Sequence, residues 1–143
     1  VERSRGLGDV YKRQRYGQMH RNTFIFSPDI LNEFLQSRTR KDLFFAGQLC
    51  GVEGYLASIG TGLIAGINMA AFLNNNKMMT LPAQTMLGAL FKYICDSESD
   101  FFQPMKANFG LLPKLENKIK KKIDRYQAYA DRSLDILKKY PIQ

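Results

Sequence analysis

Few residues in this 143-residue chain have the types and spacing that chemistry needs, and the densest group is glycine. The stretch LFFAGQLCGVEGYLASIGTGLIAGINMAAF, from Leu43 to Phe72, holds Gly47, Gly51, Gly54, Gly60, Gly62 and Gly66. A glycine inside a helix costs about 1 kcal/mol relative to alanine, so this many call for a reason. Gly47 ends a short apolar run, and Gly51 and Gly54 bracket a turn that enters a helix. A strand, a tight turn and a helix N-terminus leave backbone N–H groups free to face an anion or a polarised carbonyl. Small residues there let a ligand reach the main chain without meeting a Cβ. The same spacing also makes an ordinary turn, and it is not G-x-G-x-x-G, so both readings stand.

The other reactive side chains are sparse. Cys50 and Cys95 stand far apart with no C-x-x-C, and His20 is the single histidine. That excludes a disulfide scaffold or a zinc site and fits a reducing cytosol. His20 and Arg21 read either as ligand contacts or as hydrogen-bonded structural residues, and Asn22 as a turn-fixing residue. The net charge of +8 is terminal: residues 1–21 carry six Lys/Arg against Glu2 and Asp9, and residues 114–125 six against Glu116 and Asp124.

The elements that must position these residues follow from hydrophobic periodicity. With 45% hydrophobic and 12% aromatic residues, the chain reads as a folded globular protein, not a disordered one. Residues 1–14, VERSRGLGDVYKRQ, form a charged leader that looks foreign to the rest, and 15–143 form one unit. Strands are expected at Asn22–Phe26 and Leu43–Ala46, and helices over about 29–36, 52–74 and 84–95. Leu115, Ile119, Ile123, Tyr126, Ala130, Leu134 and Leu137 predict one long amphipathic C-terminal helix ending before Pro141. In the 52–74 helix, Ser58, Gly62, Gly66 and Ala70 recur every four residues as a small-residue seam suited to close packing against a sheet. Tyr55–Leu73 carries no charge, but its Gly, Ala, Ser and Thr content and Asn68 argue against a membrane span. No apolar secretory signal is read at the N-terminus.

Three blocks give a specific resemblance: RYGQMHRNTFIFSP (15–28), LFFAGQLCGVEGYLASIGTGLIAGIN (43–68) and FFQPMKANFGLLP (101–113). Residues 15–143 resemble the C-terminal part of the folate- and FAD-dependent tRNA (uracil-5-)-methyltransferase family. The resemblance implies an α/β fold: a helix-rich C-terminal fragment of an FAD-binding, Rossmann-like domain. It implies reductive methylation of carbon 5 of a tRNA uridine, position 54 in the family's T-loop. Methylenetetrahydrofolate donates the carbon, and FAD is reduced by NAD(P)H.

By the same resemblance, Gly47, Gln48, Gly51, Val52, Glu53, Gly54 and Tyr55 would bind FAD, with Gly47 and Gln48 toward its ribityl or pyrophosphate portion. Tyr55 either stacks near the flavin or is a core aromatic. His20 and Arg21 become folate or flavin candidates, while Gln103, Asn108 and Phe109 receive no role. The family's G-x-G-x-x-G fingerprint and functional cysteines are absent, and Cys50 stands where the family usually has threonine, so no catalytic residue and no metal ligand is assigned. The chain is therefore expected to be a fragment, inactive alone, whose partners are tRNA and the missing N-terminal part of the polypeptide, in the cytoplasm and away from membranes. Lys118, Lys120, Lys121 and Lys122 are RNA-contact candidates, or else a solvated helix face. Alternatives are a ribosomal RNA uracil-5 methyltransferase of the same family, or a non-enzymatic basic RNA-binding module.

Overall fold

The computed structural model describes residues 23–95 and 102–140. The leader, His20, Arg21, Asn22 and the acidic turn at 97–100 lie outside the described residues. In chain order come α1 (Ser27–Ile30), β1 (Val52–Glu53), α2 (Tyr55–Leu73), α3 (Met86–Cys95), β2 (Met105–Lys106) and α4 (Lys122–Lys139). Short 3₁₀ turns occupy Gly47–Cys50 and Phe109–Leu111. The described part is thus helix-rich with one small parallel sheet, in which Val52 faces Met105 and Glu53 faces Lys106. Parallel strands need a long crossover, and α2 and α3 supply it.

The N-terminal third departs from its periodicity. Residues 23–26 form no strand; Ile25 N–H donates to the Leu49 carbonyl at 2.9 Å. The helix expected over 29–36 shrinks to α1, because Leu31 is already extended. The Asn32 side-chain oxygen accepts the N–H groups of Phe34 and Gln36 at 3.0 and 3.1 Å, which offers the backbone a local turn in place of a helix. The apolar run 43–46 makes only an isolated bridge between Phe44 and Gln36.

α2 begins three residues later than the pattern suggested, since Val52 and Glu53 pair with β2. Its inner face is Ala57, Thr61, Ile64, Ala65 and Asn68. Thr61 Oγ1 accepts the Gly47 N–H at 2.9 Å and donates to the Ser58 carbonyl at 2.8 Å. Asn68, fully buried, donates to the carbonyls of Phe34 and Met79 and accepts the Met79 N–H. By length and composition α2 could cross a membrane, but these polar partners tie it into the fold. The seam faces the other way. A Cβ at Gly62 or Gly66 would meet nothing within 4 Å, and Leu56, Ile59 and Leu63 beside them are exposed. Among the described residues, no sheet packs against the seam.

α3 buries Leu90, Phe91 and Ile94 as its pattern requires. The Thr85 hydroxyl accepts the Gly88 N–H at its start. The C-terminal helix is shorter than expected: it starts at Lys122, and residues 115–121 are not helical. Its predicted apolar stripe holds only in part: Tyr126 and Leu137 are half-buried, but Ile123 is 82% exposed, and Ala130 and Leu134 are exposed too. The packed side is marked by Tyr126 together with Tyr129, Ser133 and Tyr140. Phe109 stacks on Tyr126 with centroids 4.0 Å apart and planes 4° from parallel. Ser133 donates to the Gln84 carbonyl and Tyr140 to the Thr80 carbonyl. Aromatic stacking and these hydrogen bonds join the half-buried Ile136 and Leu137 in setting the helix's rotation.

Candidate functional site

The glycine turn has an inward half and an outward half. Gly47, Gly51 and Gly54 all hold positive φ, at 68°, 76° and 99°. The inward half is committed to structure. Gly47 gives its N–H to Thr61. Gly51 donates to the Gln48 carbonyl and accepts from Met105 N–H, both at 2.9 Å, which joins the turn to β2. A Cβ at Gly51 would sit 2.6 Å from the Phe102 ring. That ring is itself held by Phe24, Phe26 and Tyr93. Val52 is buried in the core, and Ser27 Oγ donates to the Cys50 carbonyl at 2.9 Å.

Cys50 is wholly buried, and burial pushes its thiol up to about 12, so it stays protonated at neutral pH and is no nucleophile. Cys95 is buried as well. Among the described residues, no group of three His, Cys, Asp or Glu side chains could hold a metal ion.

The outward half is different. A Cβ at Gly54 would meet nothing within 4 Å, and no side chain caps the N-terminus of α2. The first N–H groups of a helix have no intrahelical partner, so this end offers donors and the positive end of the helix dipole to an open surface. Tyr55 is 89% exposed, so it packs into no core formed by the described residues. Gln48 and Glu53 are exposed on the same turn, and Glu53 lies 3.9 Å from Lys106 Nζ. A hollow of about 810 Å³ exists elsewhere, lined by Phe34, Ile67, Asn74, Met79 and Tyr140, and does not include the turn.

The third block acts as scaffold. The Gln103 carbonyl accepts the Tyr93 hydroxyl at 3.0 Å. Asn108 accepts the Gly110 N–H and donates to the Lys106 carbonyl, both at 2.8 Å, which closes the 3₁₀ turn that presents Phe109 to Tyr126. Lys118, Lys120 and Lys121 are exposed on the segment before α4, and Lys122 is its first residue. Lys118 and Lys122 therefore do not share a helix face. No hydrogen bond or ion pair among the described residues joins these lysines to the glycine turn. Thr61 and Phe102, which shape the turn, were not singled out by sequence, and Asn68, which anchors its helix, was noted only as a polar residue unsuited to a membrane span. The hydroxyl of Thr61 and the amide of Asn68, set within a largely apolar helix, were the available signal.

The family model described as glucose inhibited division protein A matches residues 5–77, more than half the chain. A methylenetetrahydrofolate–tRNA-(uracil-5-)-methyltransferase of Exiguobacterium sp. is 52% identical over 128 residues, covering 88% of this chain and 29% of that relative. Enzymes of the same name from Natranaerobius thermophilus and Halalkalibacterium halodurans are 53% and 50% identical over 126 residues, each with the same two shares. The chain thus spans about 29% of the length of the curated relatives it matches. By the family match and these identities, the chain belongs to the glucose inhibited division protein A family and corresponds to a segment of its tRNA (uracil-5-)-methyltransferases.

Proposed function

We propose that this chain is the flavin-turn segment of an FAD- and folate-dependent tRNA (uracil-5-)-methyltransferase with a Rossmann-like cofactor domain, working in the cytoplasm. The observation that carries the reading is the open end of α2 within a stretch matched to enzymes of that name. Gly54, Tyr55 and Leu56 leave room above unpartnered amides, which suits a flat, partly anionic group such as a flavin. Gln48 and Glu53 flank that opening with polar side chains. Gly47, Gly51 and Val52 serve it from beneath, by fixing the turn through Thr61, Phe102 and β2. Bound FAD supplies the electron transfer that converts a folate-borne methylene into a methyl group, with NAD(P)H as reductant. The chain's own contribution is to orient that group and to present a positive helix end beside it.

The exposed face of α2 completes the reading. Leu56, Ile59, Leu63 and Leu73 flank the uncovered Gly62 and Gly66, an apolar strip with room for close backbone approach. Its occupant is the remainder of the polypeptide, since relatives extend well beyond the matched segment. The test is a fusion of the upstream part of the Exiguobacterium relative to this chain, assayed for methyl transfer from methylenetetrahydrofolate to unmodified tRNA. The fusion should form 5-methyluridine and the chain alone should not. A fusion that binds flavin stoichiometrically yet leaves uridine unmodified would overturn the proposal.

A further inference from the structure

We infer that the clamped lysine segment 114–122 is a phosphate-binding ridge that holds the RNA backbone without reading its bases; this rests on the reading that the protein acts on RNA. Lys114, Lys118, Lys120, Lys121 and Lys122 fall within nine residues, and all are exposed. Among the described residues none of them forms an ion pair, although Glu116 and Asp124 are close in sequence. Lys138, at the other end of α4, is paired with Asp135 at 3.4 Å.

Two arginines hold the segment in place. Arg132 donates to the carbonyls of Pro113 and Lys114 at 2.9 and 3.2 Å, and Arg125 to that of Ile119 at 3.4 Å. The lysines are thus carried on a backbone fixed at both ends, so fewer chain conformations are lost when an anion binds.

Their position is electrostatically costly. Lys120, Lys121 and Lys122 crowd the N-terminus of α4, where the helix dipole is positive and favours anions. No side chain caps that end, and Asp124 is the one acidic residue in its first turn. Like charges gathered at the wrong helix end, against local preference, mark a place whose partner is a polyanion.

The aromatic residues decide what is read. Base stacking needs a free ring face. Phe109 and Tyr126 cover each other, Lys122 Nζ lies 5.5 Å from the Tyr126 centroid, and Arg132 lies 5.1 Å from that of Tyr129. These rings are engaged in placing cations, so the ridge meets phosphates and supplies sequence-independent affinity.

The test is RNA binding by the 143-residue chain across a salt series, using a tRNA and an unrelated hairpin of equal length. Lys118, Lys120, Lys121 and Lys122 are replaced together by Gln, and Lys138→Gln/Lys139→Gln serves as the control. Removing four phosphate contacts should flatten the log K against log salt slope by about 3 and weaken both RNAs equally, with the control slope changed by less than about 1. An unchanged slope in the fourfold variant, loss confined to the tRNA, or no RNA binding by the parent chain would overturn the ridge. Unaltered circular dichroism shows that the variant is folded. Methyl transfer by the fusion, measured separately, keeps the two readings apart. An active fusion with an unchanged slope sinks the ridge alone, and an inactive fusion with a lysine-dependent slope sinks the methyltransferase reading alone.

Discussion

Gly51→Ala should be among the most damaging single-methyl changes in this chain, and its cost has two separable parts. At φ 76° the new residue is held in the left-handed region, which costs about 1–2 kcal/mol for an L-amino acid. The added methyl would also sit 2.6 Å from the Phe102 ring, which is packed among three other aromatic rings and cannot swing away freely. Forcing a methyl into a packed core costs about 1–3 kcal/mol more. The total is roughly 2–5 kcal/mol, and urea unfolding followed by circular dichroism would measure it. In a Phe102→Leu background the steric part should vanish, leaving about 1–2 kcal/mol from the backbone alone. Equal costs in the two backgrounds would show that Phe102 does not cover the turn, and the division into inward and outward halves would fall.

Three further outcomes follow from the same contacts. Thr61→Val keeps the shape of the side chain but orphans the Gly47 N–H, and should destabilise by about 1–3 kcal/mol in the same assay. Asn68→Ala leaves the carbonyls of Phe34 and Met79 and the Met79 N–H without their side-chain partner, for a loss of roughly 2–4 kcal/mol; a change below about 1 would refute that network. Cys50, raised to about 12 by burial, should resist alkylation at pH 8 in the folded chain and react once unfolded. Because the folded thiol holds its proton more tightly than the unfolded one, its contribution to stability is complete below the ordinary cysteine range. It is lost as pH rises toward about 12, so alkaline unfolding should begin later in Cys50→Ser than in the parent, after correction for their neutral-pH difference.

What could be read from sequence depended on whether one interaction dominated. α3 was legible from its apolar periodicity, and α2 from its long uncharged apolar run and the Asn residues that end it, although its apolar stripe proved to be its exposed side. The segment 29–36 carried a helical pattern too, but the Asn32 side chain captured two backbone amides and turned the chain. The C-terminal helix was found, but its contact face only in part. Periodicity counts aliphatic positions, whereas here one stacked ring pair and two side-chain hydrogen bonds join Ile136 and Leu137 in setting the rotation. In place of its first two turns runs a non-helical segment whose Pro113, Lys114 and Ile119 carbonyls accept from Arg132 and Arg125. At the candidate site, glycine spacing located the turn but not which amides remain available. That distinction rests on Thr61 and Phe102, one of them a hydroxyl within a largely apolar helix and the other a ring from a block far along the chain.

On the proposed reading, a flavin meets this chain at the open end of α2. Its most direct test is a flavin titration of the upstream fusion with Gly54→Val, read by flavin absorbance and fluorescence well below the unfolding temperature. Any side chain at φ 99° strains the backbone, so Gly54→Ala serves as the strain control; the bulkier valine, projecting into space that is now empty, should lose at least tenfold in FAD affinity relative to it while the helical signal is retained. FAD affinity equal to that of the alanine control would contradict the reading.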